Sequence, residues 1–267
     1  MSDLPQELVE DIYERVYRDS DDSWKQILDN YALACRSLLL ATCRYAFTSI
    51  HIHVRGKKRS AVAFCDLIAS PYQMITTHVK HLHFGQYNGW SDAGSLDPSL
   101  FASIVAQLPA VESIKVEDAI WEYGPDRTIV PQRNIRRVQE LHLFAVGFTT
   151  TFKGSDSAGL ISGDPGRSFA DFLSQFSGIE TLVLSTILLR ITHPLDFNPS
   201  YWQDLQLSSR IAMRRLMLSN VPQIFLQALQ HYLDLSAMKM ISIRSHDPSA
   251  HTTADEVMDT FLEGSIG

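Results

Sequence analysis

Val79-Lys80-His81-Leu82-His83-Phe84, Val111-Glu112-Ser113-Ile114-Lys115-Val116 and Val138-Gln139-Glu140-Leu141-His142-Leu143 share one pattern. An apolar residue is followed by two polar ones, then apolar residues alternate. Further copies start at Ile179, Met213 and Met238, and an earlier one starts at Phe47. The starts fall about 25 to 41 residues apart along the chain. Alternation is the mark of a strand with one buried face. Helix-like stretches precede most copies, at Ala61–Ala69, Leu100–Leu108, Phe169–Phe176 and Ile224–Leu233. A helix–strand unit with a single apolar face cannot bury it alone, so such units stack in parallel around a shared core. The expected fold class is therefore α/β, an irregular leucine-rich-repeat-like solenoid over residues 49–267. The asparagine of a regular repeat is missing: Tyr87, Ala119, Val146, Ile187 and Val221 stand at its position. The alternative is an ordinary doubly wound α/β domain, although no Gly-x-Gly-x-x-Gly follows any of these strands.

Two stretches interrupt the repeats. Residues 88–98 and 147–168 are rich in Gly, Ser, Asp and Asn and read as loop insertions.

Strand alternation also says which side chains leave the core. The early strands would present Ser49, His51, His53, His81, His83 and Gly85, and the middle ones Ser113, Lys115, Glu117, Glu140, His142 and Phe144. The last two would present Arg215, Met217, Ser219, Met240, Ser242 and Arg244. His51, His83, Lys115, Glu117, Glu140, His142, Phe144, Arg215 and Arg244 form the candidate target-binding face. His-x-His on a strand puts two imidazoles on one side, as a metal site would need. The plainer reading is a polar, pH-responsive surface, and no metal or other cofactor is expected. No Gly-x-Ser-x-Gly or His-Glu-x-x-His occurs, and Gly166-Arg167-Ser168 lacks the rest of a phosphate loop, so no catalytic residue is expected.

The 267 residues carry a formal net charge of −7, with 45% hydrophobic residues. That composition suits a globular chain and disfavours general binding to nucleic acid, which needs a basic surface. Cys35, Cys43 and Cys65 supply neither a disulfide framework nor a zinc motif. No signal-like leader and no membrane-spanning apolar run are present, so a cytoplasmic or nuclear protein is expected. The charge is unevenly spread. Residues 1–30 are strongly acidic, whereas residues 31–60 contain six Lys or Arg and no Asp or Glu.

The first 48 residues read as a small helical unit. Asp3 and Pro5 suit a helix start, and Leu8, Val9, Ile12, Tyr13 and Val16 follow at helical spacing. Two more short helices are expected, through Trp24–Leu33 and Ser37–Ala46, making a three-helix bundle with little core of its own. Leu4-Pro5-Gln6-Glu7-Leu8-Val9, Ala32-Leu33-Ala34-Cys35-Arg36-Ser37 and Arg44-Tyr45-Ala46-Phe47 occur in order. Together they resemble an F-box, of the divergent type found in mushroom-forming fungi. Leu38 stands where the family often has tryptophan, and the linker after the first helix is longer and more acidic than usual. The resemblance implies that Leu4, Pro5, Leu8, Val9, Ile12 and Leu33 contact the Skp-type linker of a cullin ubiquitin ligase. It further implies a substrate-recognition adaptor, with the repeats holding an unknown target protein and the chain itself doing no chemistry. The alternative is an interaction scaffold that does not engage the ligase. Neither nucleic acid nor a membrane is an expected partner.

Overall fold

The computed structural model describes residues 42–54, 60–70, 75–85, 94–123, 137–153, 160–163, 165–189, 211–222, 225, 226, 229 and 233–244. An eight-stranded sheet dominates them. In spatial order it contains β1 (Ser49–His53), β2 (His81–Gly85), β4 (Ser113–Glu117), β6 (Arg137–Phe144), β9 (Gly178–Ser185) and β11 (Ile211–Ser219). β11 also pairs with β12 (Leu233–Asp234) and β13 (Met240–Arg244). Every pairing in this sheet is parallel.

The six-residue pattern poses a geometric problem. Val79 and Leu82 are three residues apart, so an ideal strand would send them to opposite faces. Both are nevertheless buried, as are Val111 and Ile114, and Val138 and Leu141. A stacked irregularity resolves it. The Thr48 carbonyl accepts from the amides of both Lys80 and His81, at 2.9 Å each. The Lys80 carbonyl likewise serves Glu112 and Ser113, and the Glu112 carbonyl serves Gln139 and Glu140. β2, β4 and β6 thus each carry a bulge at or near their start that takes up the extra residue and returns the following apolar side chains to the core.

The strands also end alike. Asp118, Ala145, Thr186 and Asn220 all have positive φ, between 49° and 55°. Three of their amides reach the end of the next strand: Asp118 to the Phe144 carbonyl at 3.1 Å, Ala145 to Ser185 at 3.0 Å, and Thr186 to Ser219 at 2.8 Å. These bonds make the corner that the missing asparagine does not. The next residues, Ala119, Val146 and Ile187, point inward and are buried.

Past the corners at Asp118, Ala145 and Thr186 the chain enters a second sheet. Its order is β10 (Leu188–Leu189), β7 (Gly147–Lys153), β5 (Ala119–Tyr123) and β3 (Gly94–Leu96), with β8 (Leu160–Gly163) antiparallel to β7. The helices that matter to the packing are α1 (Ala61–Ile68), α2 (Pro98–Gln107) and α3 (Pro165–Ser174). Asp97 caps α2 by accepting from the Ser99 and Leu100 amides at 2.7 and 3.1 Å, with Pro98 in the first turn where its missing N–H costs nothing. Ser60 caps α1 by accepting from Ala63 at 3.2 Å.

An aromatic core joins the layers. Trp121 of β5 meets Phe101 and Phe172 edge-on, with centroids 5.4 and 4.7 Å away, and Phe148 packs against Phe169 and Phe225. The Trp121 indole donates to Asp171 Oδ2 at 3.4 Å, so its polar edge is satisfied while its rings are buried.

This arrangement corrects the expected architecture. Among the described residues the fold is α/β, of mostly parallel sheet with few helices, and this overturns the expected bundle-plus-solenoid architecture. The repeat pattern locates the strands of the large sheet but says nothing of their return paths. Several returns open with a strand of the second sheet rather than a helix. The stretches expected as loop insertions hold structure of their own: β3 and the start of α2 in the first, β7, β8 and the start of α3 in the second. Residues 42–46 are helical, and the rest of the expected bundle lies outside the described residues. So does the helix expected at 224–233, except for single positions. Among the described residues no helix is long and apolar enough to cross a membrane.

Candidate recognition surface

With the bulges in place, alternate side chains of the large sheet face away from the core in three rows across the strands. Ser49, His81, Ser113, Glu140, Thr181, Arg215 and Met240 stand in register in the first. His51, His83, Lys115, His142, Val183, Met217 and Ser242 form the second. The third holds His53 beside Gly85, then Glu117, Phe144, Ser185, Ser219 and Arg244. All nine candidate face residues therefore stand on one surface. Thr181, Val183 and Ser185 belong to it as well. They are absent from the face expected from the sequence, although the alternation at Ile179–Leu184 carries the signal for them.

The two ends of this surface differ. At the β1–β4 end, His51 and His83 stack with centroids 4.1 Å apart and planes 7° from parallel, and His53 stacks on His51 at 5.0 Å. Gly85 makes the room. A Cβ there would come within 2.9 Å of His83 Nε2 and 3.3 Å of His51 Nε2. Lys115 Nζ meets Glu117 Oε2 at 2.5 Å. His83 Nε2 lies 3.0 Å from the same oxygen, at ion-pair distance but off the line of a good hydrogen bond. Burial, then the neighbouring charges of His51 and Lys115, pull the His83 pKa from 6.5 to about 4, against the attraction of Glu117. His83 is therefore neutral near pH 7. Burial pushes the Glu117 carboxyl up, but Lys115 and His83 together bring it below its ordinary value.

Nearly parallel rings set their nitrogens side by side, whereas a metal needs lone pairs converging on one point. Among the described residues no group of three or more His, Cys, Asp or Glu could hold a metal ion.

Both lysines at this end, Lys80 and Lys115, have a carboxylate partner. Lys80 pairs with Glu112 at 3.0 Å, and His142 Nε2 lies 3.5 Å from Glu140. Over β9, β11 and β13 the surface changes character. Arg214 is engaged with Glu180 at 3.1 Å, while Arg215 and Arg244 are exposed. Met240 of β13 is also exposed, at 44%, and so is Phe144 of the neighbouring β6, at 37%. The residues expected to contact a ligase linker, Leu4, Pro5, Leu8, Val9, Ile12 and Leu33, lie outside the described residues. No family model, curated protein or solved structure matches this chain.

Proposed function

We propose that the chain is a recognition adaptor, holding a target protein on the outer face of its large sheet and performing no chemistry itself. The observation that carries this reading is the three-row surface. Seven strands in register present a broad, chemically varied set of side chains, while the apolar sides of the same strands fill the core. Fixed main-chain spacing holds those side chains in place, so little ordering is needed when a partner binds.

The ligase connection rests on the resemblance of residues 4–47 to an F-box. In this reading Leu4, Pro5, Leu8, Val9, Ile12 and Leu33 engage a Skp-type linker, and a bound target gains effective concentration near the ubiquitin-transfer machinery. Co-expression with a Skp-type linker tests it. A stable complex with the parent chain, lost on Leu8→Asp plus Ile12→Asp, supports the adaptor. Absence of any complex with the parent chain leaves the alternative, a scaffold that binds proteins without the ligase.

A further inference from the structure

The cations of the large sheet are not treated alike. Lys80, Lys115 and Arg214 each have a carboxylate partner within the fold. Among the described residues, Arg215 and Arg244 are exposed and make no ion pair, and the same holds for Arg137 and Lys239. The acidic side chains of β9 and β12, Glu180 and Asp234, are engaged by Arg214 and Ser236. The positions of Arg215 and Arg244 are fixed by register. Arg215 pairs with Met240, and Ser219 pairs with Arg244, so the arginines sit on neighbouring strands four residues apart in register. That is about 13 Å along the strand direction at ~3.3 Å per residue. Met217 and Ser242 stand between them in the middle row, and exposed Met240 lies beside Arg215. Met side chains adapt to different apolar groups, and arginine is suited to carboxylates.

We propose that the surface over β9, β11 and β13 binds an extended acidic polypeptide segment of the form acid-x-apolar-x-acid. Residues i, i+2 and i+4 of an extended chain share one face and span the same distance as Arg215 and Arg244. Each acidic side chain meets one arginine, and the apolar residue between them sits on Met217. The Glu112–Lys80 and Glu117–Lys115 pairs leave the two lysines at the other end of the sheet less able to compete for such a segment. This inference rests on the reading of the outer face as a recognition surface and adds to it the chemistry of the partner.

Fluorescence anisotropy with the full chain alone tests it, using a labelled ten-residue peptide containing Asp-x-Leu-x-Asp. The expected result is binding at least tenfold tighter than for the Asn-x-Leu-x-Asn peptide, weakened by salt. Arg215→Glu plus Arg244→Glu reduces it about tenfold or more, and Arg215→Gln plus Arg244→Gln reduces it less. Val62→Ala plus Leu67→Ala, on the exposed side of α1, leaves it unchanged. Equal binding of the two peptides, or full binding by the double Glu variant, overturns the proposal. So does binding of a phosphoserine peptide or an oligonucleotide where the Asp peptide fails. No linker is present in this assay, so failure of the ligase connection does not affect it. Partners that bind only over β1–β6 would keep the recognition reading and remove this one.

Discussion

His51 and His83, on adjacent parallel strands, lie ring over ring with centroids 4.1 Å apart, and the space they share is left open by Gly85. The glycine is needed for close approach, not for an unusual backbone angle. Gly85→Ala places a methyl group against two imidazole edges, which are the free ends of side chains and can swing aside. Gly85 is buried, so the added methyl group overpacks the site and should cost about 1–3 kcal/mol, less as the rings yield. The His51 and His83 ring signals should also shift clearly in NMR spectra. Unchanged ring signals would show that the stack is not formed in solution.

The same cluster sets a pH dependence. Between about pH 4 and 6.5 the unfolded chain protonates His83 while the folded chain resists it, so stability falls as pH drops through this window. Glu117 acts in the same direction below its ordinary value of 4.5, because its folded carboxyl resists protonation. Asp118 works oppositely, since burial and then the charge of Glu117 raise its pKa and protonation favours the fold. Denaturation midpoints between pH 7 and 4 should fall for the parent chain and fall less for His83→Gln. Parallel curves for the two proteins would remove His83 as the cause.

Phe172 touches Trp121, Phe101 and Phe176 and is buried, whereas Phe144 is exposed on the outer face. Phe172→Ala should cost about 3–5 kcal/mol through lost contacts and the cavity left behind. Phe144→Ala should cost within about 0.5 kcal/mol, as expected of a surface site. Urea denaturation of both variants measures the difference. Similar losses would contradict the assignment of the two faces.

At the strand corners, Thr186 has φ of 55°, a conformation that a β-branched residue adopts only with strain. A left-handed L-residue costs roughly 1–2 kcal/mol, and glycine removes this at an entropic cost of about 0.5–1 kcal/mol. Thr186→Gly should therefore be neutral or stabilising by up to about 1 kcal/mol in thermal or urea unfolding. A loss beyond about 1 kcal/mol would mean the side chain contributes contacts that outweigh the strain.

Much of the large sheet is legible in the sequence. The apolar triplets at Val79, Val111, Val138, Ile179 and Met213 are short, local and repeated, and burial enforces them in each strand. The outer-face residues follow from the same alternation, and so does the adjacency of His51 and His83. The second sheet is not legible in this way. Gly147-Phe148-Thr149-Thr150-Thr151-Phe152 is rich in strand formers, but the Gly, Ser and Asp that follow give the stretch the composition of a loop. Its pairing with Ala119–Tyr123 depends on corners where Asp118 and Ala145 adopt left-handed angles. Ala and Thr give no local warning of such angles, unlike Gly. Internal charge pairing is equally hidden, because which cation meets which carboxylate depends on strand register rather than on spacing along the chain.

The central claim is that the outer face of the large sheet is the surface that binds protein. Panning a random-peptide phage library against the immobilised full chain tests it directly, because no target has to be chosen in advance. The expected result is enriched peptides whose binding is lost on Phe144→Asp plus Met240→Asp and kept on Val62→Asp plus Leu67→Asp, which alter exposed residues of α1 instead. Binding that survives the first pair and is lost with the second would contradict the claim.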